Sequence, residues 1–217
     1  MALSIPAAER LPGALSRRVR WLQTAPVPPG SAYVLYAMTG NVRVTENHAL
    51  ATALALANAA DRPLLVVLEL TEGYPYASDR HHRFLLEGMR EVRRRLNNEM
   101  GIRAEAFVSR PGHRGPAALT LARDAALAVC DDVPTRPYRD ARKDLLAATA
   151  DADVPVAAVD ASCVVPMGAT DGPHTRAFAY RTATKAERRN RMGDTFPDIA
   201  PVQPAYTGAL PVQPTDL

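Results

Sequence analysis

The stretch LLVVLEL, residues 64–70, follows Pro63 and stays apolar until Glu69. A strand with one wet face alternates apolar and polar residues, whereas a strand covered by helices on both faces reads as a continuous apolar run. This segment therefore calls for helices above and below its sheet. The flanking sequence supplies them. SAYVLYAM (31–38) predicts a strand, and Thr45 is placed to cap an Ala- and Leu-rich helix running to about residue 60. Ser78 or Asp79 opens a helix to about 100, IRAEAFV (102–108) reads as a strand, and GPAALTLARDA places Pro116 in a helix's first turn. ALAVC (126–130), a helix over 139–150 and VPVAAVD (154–160) complete the series. Five strands alternating with four helices predict an α/β fold, a doubly wound five-stranded parallel sheet of Rossmann-like type. Right-handed crossovers then put the binding crevice at the carboxyl ends of the strands.

Three regions follow: a helical, Arg-rich lead-in over 1–30 ending at PVPPG, the α/β domain over 31–168, and a basic segment with a Pro-rich tail over 169–217. RAFAYRTATKAERRNR (176–191) predicts a short helix, and Pro197, Pro201, Pro204, Pro211 and Pro214 exclude regular structure beyond it. The formal net charge of +3 is a mild bias toward anionic partners, a nucleotide or phosphate fitting as well as a nucleic acid. No stretch approaches the roughly 20 apolar residues of a membrane span, and the start lacks an uninterrupted apolar signal core. A cytoplasmic protein is expected. Cys130 and Cys163 have no metal-ligand spacing and read as buried thiols in a reducing compartment.

The loops after the strands are TGNVRVTEN (39–47), TEGYPYAS (71–78), SRPGHRG (109–115) and DDVPTRPYRD (131–140). Arg80, His81, His82 and Arg83 stand together at a helix start, where the backbone already carries partial positive charge. Something negative should compensate: either Glu69, Glu72, Asp79, Asp131 or Asp132 from within the chain, or a bound anion. His48, His81 and His82 are candidates for acid–base work near neutral pH. Tyr74 and Tyr76 suit stacking on a flat heterocycle or packing against the lead-in. Dinucleotide, P-loop and nucleophile-elbow fingerprints are all missing, so ATP hydrolysis and serine-hydrolase chemistry are poorly supported. The adjacent pair Asp131–Asp132 is a weak metal signal, because neighbouring side chains diverge, and no metal is expected. Carboxylates beside Cys130 should blunt its nucleophilicity.

At these same positions a family comes into view. YVLYAMTGNVRVTENHAL, PLLVVLELTEGYPYASDRHHRFLLEGMREV, LARDAALAVCDD and VDASCVVPM, in that order, resemble the N-terminal α/β domain of photolyases and cryptochromes, most closely the class II cyclobutane pyrimidine dimer photolyases. The similarity spans roughly residues 5–185, with matches at Arg43, Asn47, His48, Tyr74, Pro75, Arg80, His81, Arg83, Phe84, Glu87 and Gly88. Ala37, Met38 and Thr39 replace the family's Trp-Met-Gln, and Thr170 to Thr175 depart from its usual linker. The resemblance implies an antenna-type domain holding 8-hydroxy-5-deazaflavin, FMN or a folate, or no cofactor at all. Repair in that family needs a further all-helical domain that binds FAD and damaged DNA; no FAD is expected in this chain.

Carried over by position, the ligand crevice would use Met38, Asn41, Arg43, Thr71, Tyr74, Asp131 and Arg136, with Glu69 at its base. Two functions are expected. One is a stand-alone photolyase-like module, not competent for DNA photorepair alone, that binds a flavin- or deazaflavin-type or other planar anionic ligand or serves as accessory to a separate FAD-binding subunit. The other is a repurposed, light-independent lyase, cyclase or isomerase acting on a small metabolite through His82, His81, Glu69 and Asp132. The apolar face left where a helical domain would pack predicts a homodimer or cover by residues 190–217. Nucleic-acid binding by this chain alone is not expected.

Overall fold

The computed structural model describes residues 11–75, 77–170, 172–193 and 196–217; Tyr76, Asp171 and the first ten residues, invoked above, lie outside the described set. The elements run α1 (Gly13–Ser16), β1 (Val19–Gln23), β2 (Val34–Met38), α2 (His48–Ala60), β3 (Leu64–Thr71), α3 (Asp79–Asn98), β4 (Arg103–Ser109), α4 (Ala117–Ala122), β5 (Leu127–Asp131), α5 (Tyr138–Ala150), β6 (Val156–Val159), α6 (Ala177–Ala183) and α7 (Lys185–Arg191). They build a six-stranded sheet in the order β1-β6-β5-β2-β3-β4. Five strands are parallel, as the alternation predicts, and β1 adds an antiparallel edge against β6.

That edge corrects the helical reading of the lead-in. Among its described residues only Gly13–Ser16 is helical, and Val19, Arg20 and Trp21 pair with Val159, Ala158 and Ala157. The reason is tertiary: β6 would otherwise be a bare edge of unpaired N–H and C=O groups, and an extended VRWLQ satisfies them.

Alternate residues of the buried strands feed two cores. Val34, Tyr36, Met38, Val66 and Leu68 face α2 and α3, whereas Leu35, Ala37, Leu65 and Val67 face α4 and α5. The helix caps differ in part from expectation. Asn47, not Thr45, caps α2, its side-chain oxygen accepting from the N–H groups of Ala49 and Leu50; Ser78 caps α3. The basic run forms two short helices rather than one, turning at the buried Thr184.

The tail is irregular but docked. Phe196, Ile199 and Leu217 pack against the first core, and Tyr206, Leu210 and Val212 against the second. Between them the chain passes the open edge of β4, where the Thr215 N–H donates to the Ala106 carbonyl (2.8 Å) and the Val108 N–H to Thr215 Oγ1 (3.1 Å). Both exposed edges of the sheet are thus managed, one by a strand and one by a strap.

Candidate functional site

From β2 the chain winds outward through β3 and β4, then returns to add β5 and β6 on the other side. The topological switch point lies between β2 and β5, where open α/β sheets usually bind ligands. Here that position is filled. Asp131, at the end of β5, accepts five hydrogen bonds: from Tyr36 Oη, from the backbone N–H groups of Thr39, Gly40 and Asn41, and from Asn41 Nδ2, all between 2.8 and 3.2 Å. The loop after β2 is folded down onto the carboxylate. Gly40 lies so near Val133 that a Cβ there would sit 2.7 Å from a Val133 methyl. Burial, reinforced by Asp131, raises the Tyr36 phenol well above its ordinary range, so it stays a donor.

This accounts for several residues placed in the crevice by sequence. Met38 is fully buried in the core, and Asn41 is 3% exposed and engaged with Asp131, so neither lines an open site. Arg43 ties the loop down, donating to Asn41 Oδ1, the Glu46 carbonyl and the Ala161 carbonyl. Arg136 is exposed and pairs with Asp140 one turn on (3.2 Å).

The proposed catalytic groups are dispersed. Glu69 accepts from the N–H groups of Ala117 and Ala118 (2.8 and 3.1 Å), closing the start of α4; burial raises its pKa and those hydrogen bonds oppose the rise. Asp132 is 7% exposed and clamped by Arg20, which forks onto both its oxygens, and by Arg142. His81 and His82, at the start of α3, flank Tyr74, ring centroids 6.2 and 5.7 Å away, and Thr71 at the end of β3 is exposed. Among the described residues no ion pair within 4.0 Å joins the five acids to the RHHR cluster, and only Glu72 feels it, through the charge of His82; Arg83 pairs with Glu87 (3.0 Å), and Glu72 with Arg110 (2.7 Å). That bond holds the Glu72 carboxyl below its ordinary range. His48 is also unsuited to neutral-pH proton transfer, because burial lowers its pKa to about 4. Cys130 behaves as expected, its thiol pushed up to about 12 by burial and then by Asp131, whereas Cys163 is exposed rather than buried.

The open space lies one strand further over. A cleft of about 470 Å³ at the carboxyl ends of β5 and β6 is lined by Arg17, Arg18, Arg20, Arg139 and Arg142 against only two carboxylates, Asp132 and Asp160, with Val19, Pro134, Pro166 and Met167 as apolar wall. Each arginine has a distinct anchorage. Arg18 is 6% exposed and donates to the carbonyls of Asp160, Cys163 and Val164, which fixes the loop after β6. Asp160 holds the same loop from below, accepting from the N–H groups of Ser162, Cys163 and Met167. Of the residues singled out from sequence only Asp132 reaches this cleft. Arg17, Arg18 and Arg20 were missed because SRRVR reads as a basic helix until β6 recruits it as a strand, the apolar Val19 and Trp21 either side of Arg20 being the available signal; for Arg139, Arg142 and Asp160 the sequence offers no signal that they share a cleft.

Residues 34–202 match the DNA photolyase family. The chain belongs to that family. It is 37% identical over 179 residues to a deoxyribodipyrimidine photo-lyase of Methanothermobacter thermautotrophicus, covering 82% of this chain and 38% of that protein. A deoxyribodipyrimidine photo-lyase of Arabidopsis thaliana is 26% identical over 186 residues, covering 82% of this chain and 35% of the plant protein. The photolyase match thus corresponds to a little over a third of each relative's length. A universal stress protein structure from Archaeoglobus fulgidus covers 60% of this chain and 96% of its own, at 17% identity and a TM-score of 0.39, too low to bear on function. Among the described residues no helix is long and apolar enough to cross a membrane.

Proposed function

We propose that this photolyase-family domain is a ligand-binding module that holds a planar anionic ligand of the flavin or deazaflavin class. The observation that carries the reading is the arginine-lined cleft. Five guanidinium groups against two carboxylates leave an excess of positive charge beside an apolar wall, which suits a flat ring system bearing negative charge. Arg17, Arg20 and Arg139 would meet the anionic part and Met167 and Pro166 the ring. A bound chromophore of this class would absorb near-ultraviolet or blue light and pass on the excitation.

The activity for which the relatives are named is a further step. It would require the FAD-bearing, DNA-binding portion that the family resemblance implies, supplied outside the matched region. The light-independent enzyme reading draws no support from the arginine cleft, since of His81, His82, Glu69 and Asp132 only Asp132 lines it, and Asp132 and Glu69 are engaged as structural anchors.

An absorption spectrum of the purified protein, followed by titration with FMN and an 8-hydroxy-5-deazaflavin, tests the proposal. Saturable binding at one site per chain is expected. A colourless protein with no affinity for either compound would overturn it.

A further inference from the structure

β4 is an outer strand of the sheet, and alternate residues turn their backbone groups to its open side. Two side-chain devices occupy those groups. The amide of Asn97, at the end of α3, donates to the Ala104 carbonyl (2.9 Å) and accepts from the Ala104 N–H (3.1 Å), as a residue opposite on an antiparallel strand would. Thr215 covers the next two positions, its N–H donating to the Ala106 carbonyl (2.8 Å) and its hydroxyl accepting from the Val108 N–H (3.1 Å). A parallel strand would make the same two bonds with its N–H and its carbonyl. Here the hydroxyl stands in for the carbonyl, so the strap fills the edge without extending it. Pro211 and Pro214, which have no N–H, keep the strap from offering a donor ladder of its own.

The two guards are held differently. Asn97 belongs to a helix of 20 residues. Thr215 is carried by an irregular segment with a few partly exposed anchors: the Arg103 guanidinium donates to the Gly208 carbonyl (2.6 Å) and lies over the Tyr206 ring (5.6 Å), that ring meets Tyr33 edge-on (4.9 Å), and Leu210 and Leu217 are only partly buried. The match to the photolyase family ends at residue 202, so all of these strap residues lie beyond it. Beneath them β4 runs Ala104, Glu105, Ala106, Phe107, Val108, without proline and with its one carboxylate already paired to Arg103 (3.0 Å). An edge of this kind is a template for another strand once it is bare.

We infer that residues 203–217 guard an interaction edge whose partner is a second copy of this chain, the two β4 strands pairing antiparallel about a two-fold axis when the strap lifts. Asn97 selects the register. With Ala104 held, the positions the strap releases are Ala106 and Val108, and a two-fold centred on Phe107 sets Ala106 of one copy opposite Val108 of the other. Glu105 then faces Ser109 and no like charges oppose, whereas a centre on Glu105 would set carboxylate against carboxylate. The pairing is short, so the dimer forms in concentrated solution only. Strap and second copy use the same two backbone groups and exclude each other.

The test compares the full chain with a Tyr206→Ala/Thr215→Pro variant, which loses the ring anchor, the N–H and the hydroxyl, by sedimentation velocity over a range of concentrations. The wild type is expected to sediment as a monomer throughout, and the variant to shift toward dimer as its concentration rises. Adding Val108→Pro removes an N–H that points away from β3 and should return the variant to monomer. Amide exchange at Val108 gives a second readout in Thr215→Val, which keeps the strap's N–H and loses only the acceptor. Exchange there should be about tenfold faster than in the wild type in dilute solution, one hydrogen bond's worth, and should slow again in concentrated solution.

A wild type that dimerises with the strap in place, or a lifted variant that stays monomeric at every concentration, would overturn the inference. Dimerisation that Val108→Pro leaves intact would put the interface elsewhere and overturn it too. Should the double variant fail to fold, Thr215→Val decides: Val108 exchange that does not depend on concentration would overturn the second copy as partner. None of these readouts involves a ligand, so the flavin-class reading stands or falls apart from them.

Discussion

Asp131 and Asp132 are adjacent in the chain, and both are buried at the end of β5, yet they do opposite things. Asp131 is met by neutral donors, three of them backbone N–H groups of the loop after β2, and the loop collapses onto it. Asp132 is met by the guanidinium groups of Arg20 and Arg142, which are held apart on β1 and α5. A backbone donor can reach a carboxylate only if the chain itself comes close, so Asp131 closes the switch point. An arginine reaches across several ångströms on a flexible stem, so Asp132 leaves a walled opening. Period-2 alternation sends the two side chains to different surroundings and divides a sealed crevice from an open one.

The largest expected effect is at the sealed side. Asp131→Ala strands a buried phenol and three backbone donors, and should lower stability by about 3 kcal/mol or more in urea unfolding, in keeping with the cost of unsatisfied buried donors. A loss under about 1 kcal/mol would mean that water replaces the carboxylate and that the crevice can open.

Gly40→Ala attacks the same closure by sterics. The new methyl would meet Val133 at 2.7 Å, and the loop should be displaced at a cost of about 1 to 3 kcal/mol, the usual range for overpacking. Unaltered stability would show that the two loops are free to separate.

Asp132→Asn sharpens the contrast from the open side. Arg20 is 54% exposed and already hydrated, but Arg142 is only 14% exposed and would lose its counter-charge, so the stability loss should be about 2 kcal/mol, the amide keeping one acceptor for it. Removing one of the two carboxylates from the cleft should meanwhile tighten anion binding by about fivefold at low salt, an effect Asp131→Asn should not reproduce. Equal gains from both substitutions would dissolve the distinction between the two regions.

The smallest effect is a pH dependence near the sealed loop. His48 packs edge-on against Phe196 (4.7 Å), and burial lowers its pKa from 6.5 to about 4. The unfolded chain therefore takes up the proton first as pH falls. The stabilising contribution of neutral His48 is present above about pH 6.5 and drains away between there and about pH 4. Partial exposure of the ring keeps it to about 1 kcal/mol. Urea unfolding of the wild type and His48→Phe should show the variant losing less stability across that window; parallel curves would place the titration elsewhere.

Much of the α/β core was legible. LLVVLEL, VLYAM and LAVC announce strands buried on both faces, and the Ala-rich segment running to about residue 60 announces a helix, although its cap is Asn47 and not Thr45, because burial leaves a local apolar pattern. Less was legible about the site. Asn41, Arg43 and Asp131 were placed together correctly, but as ligand-binding groups; the structure has them bind each other. A hydrogen-bonding side chain looks the same in sequence whether its partner is a ligand or the chain's own backbone.

The parallel sheet, its two helical layers, the carboxyl-end loops and membership of the photolyase family follow from the order of the amino acids, because all of them rest on local patterns and ordered motifs. Folding in three dimensions was needed to make Val19–Gln23 a strand, to strap the β4 edge with the Pro-rich tail, and to put the opening beside β6 rather than at the switch point. Each of those depends on contacts between residues more than a hundred positions apart, such as Arg20 with Asp132 and Val108 with Thr215. Edge pairing and charge balance are satisfied by whichever segment is near in space, and proximity in space is what a linear pattern does not carry.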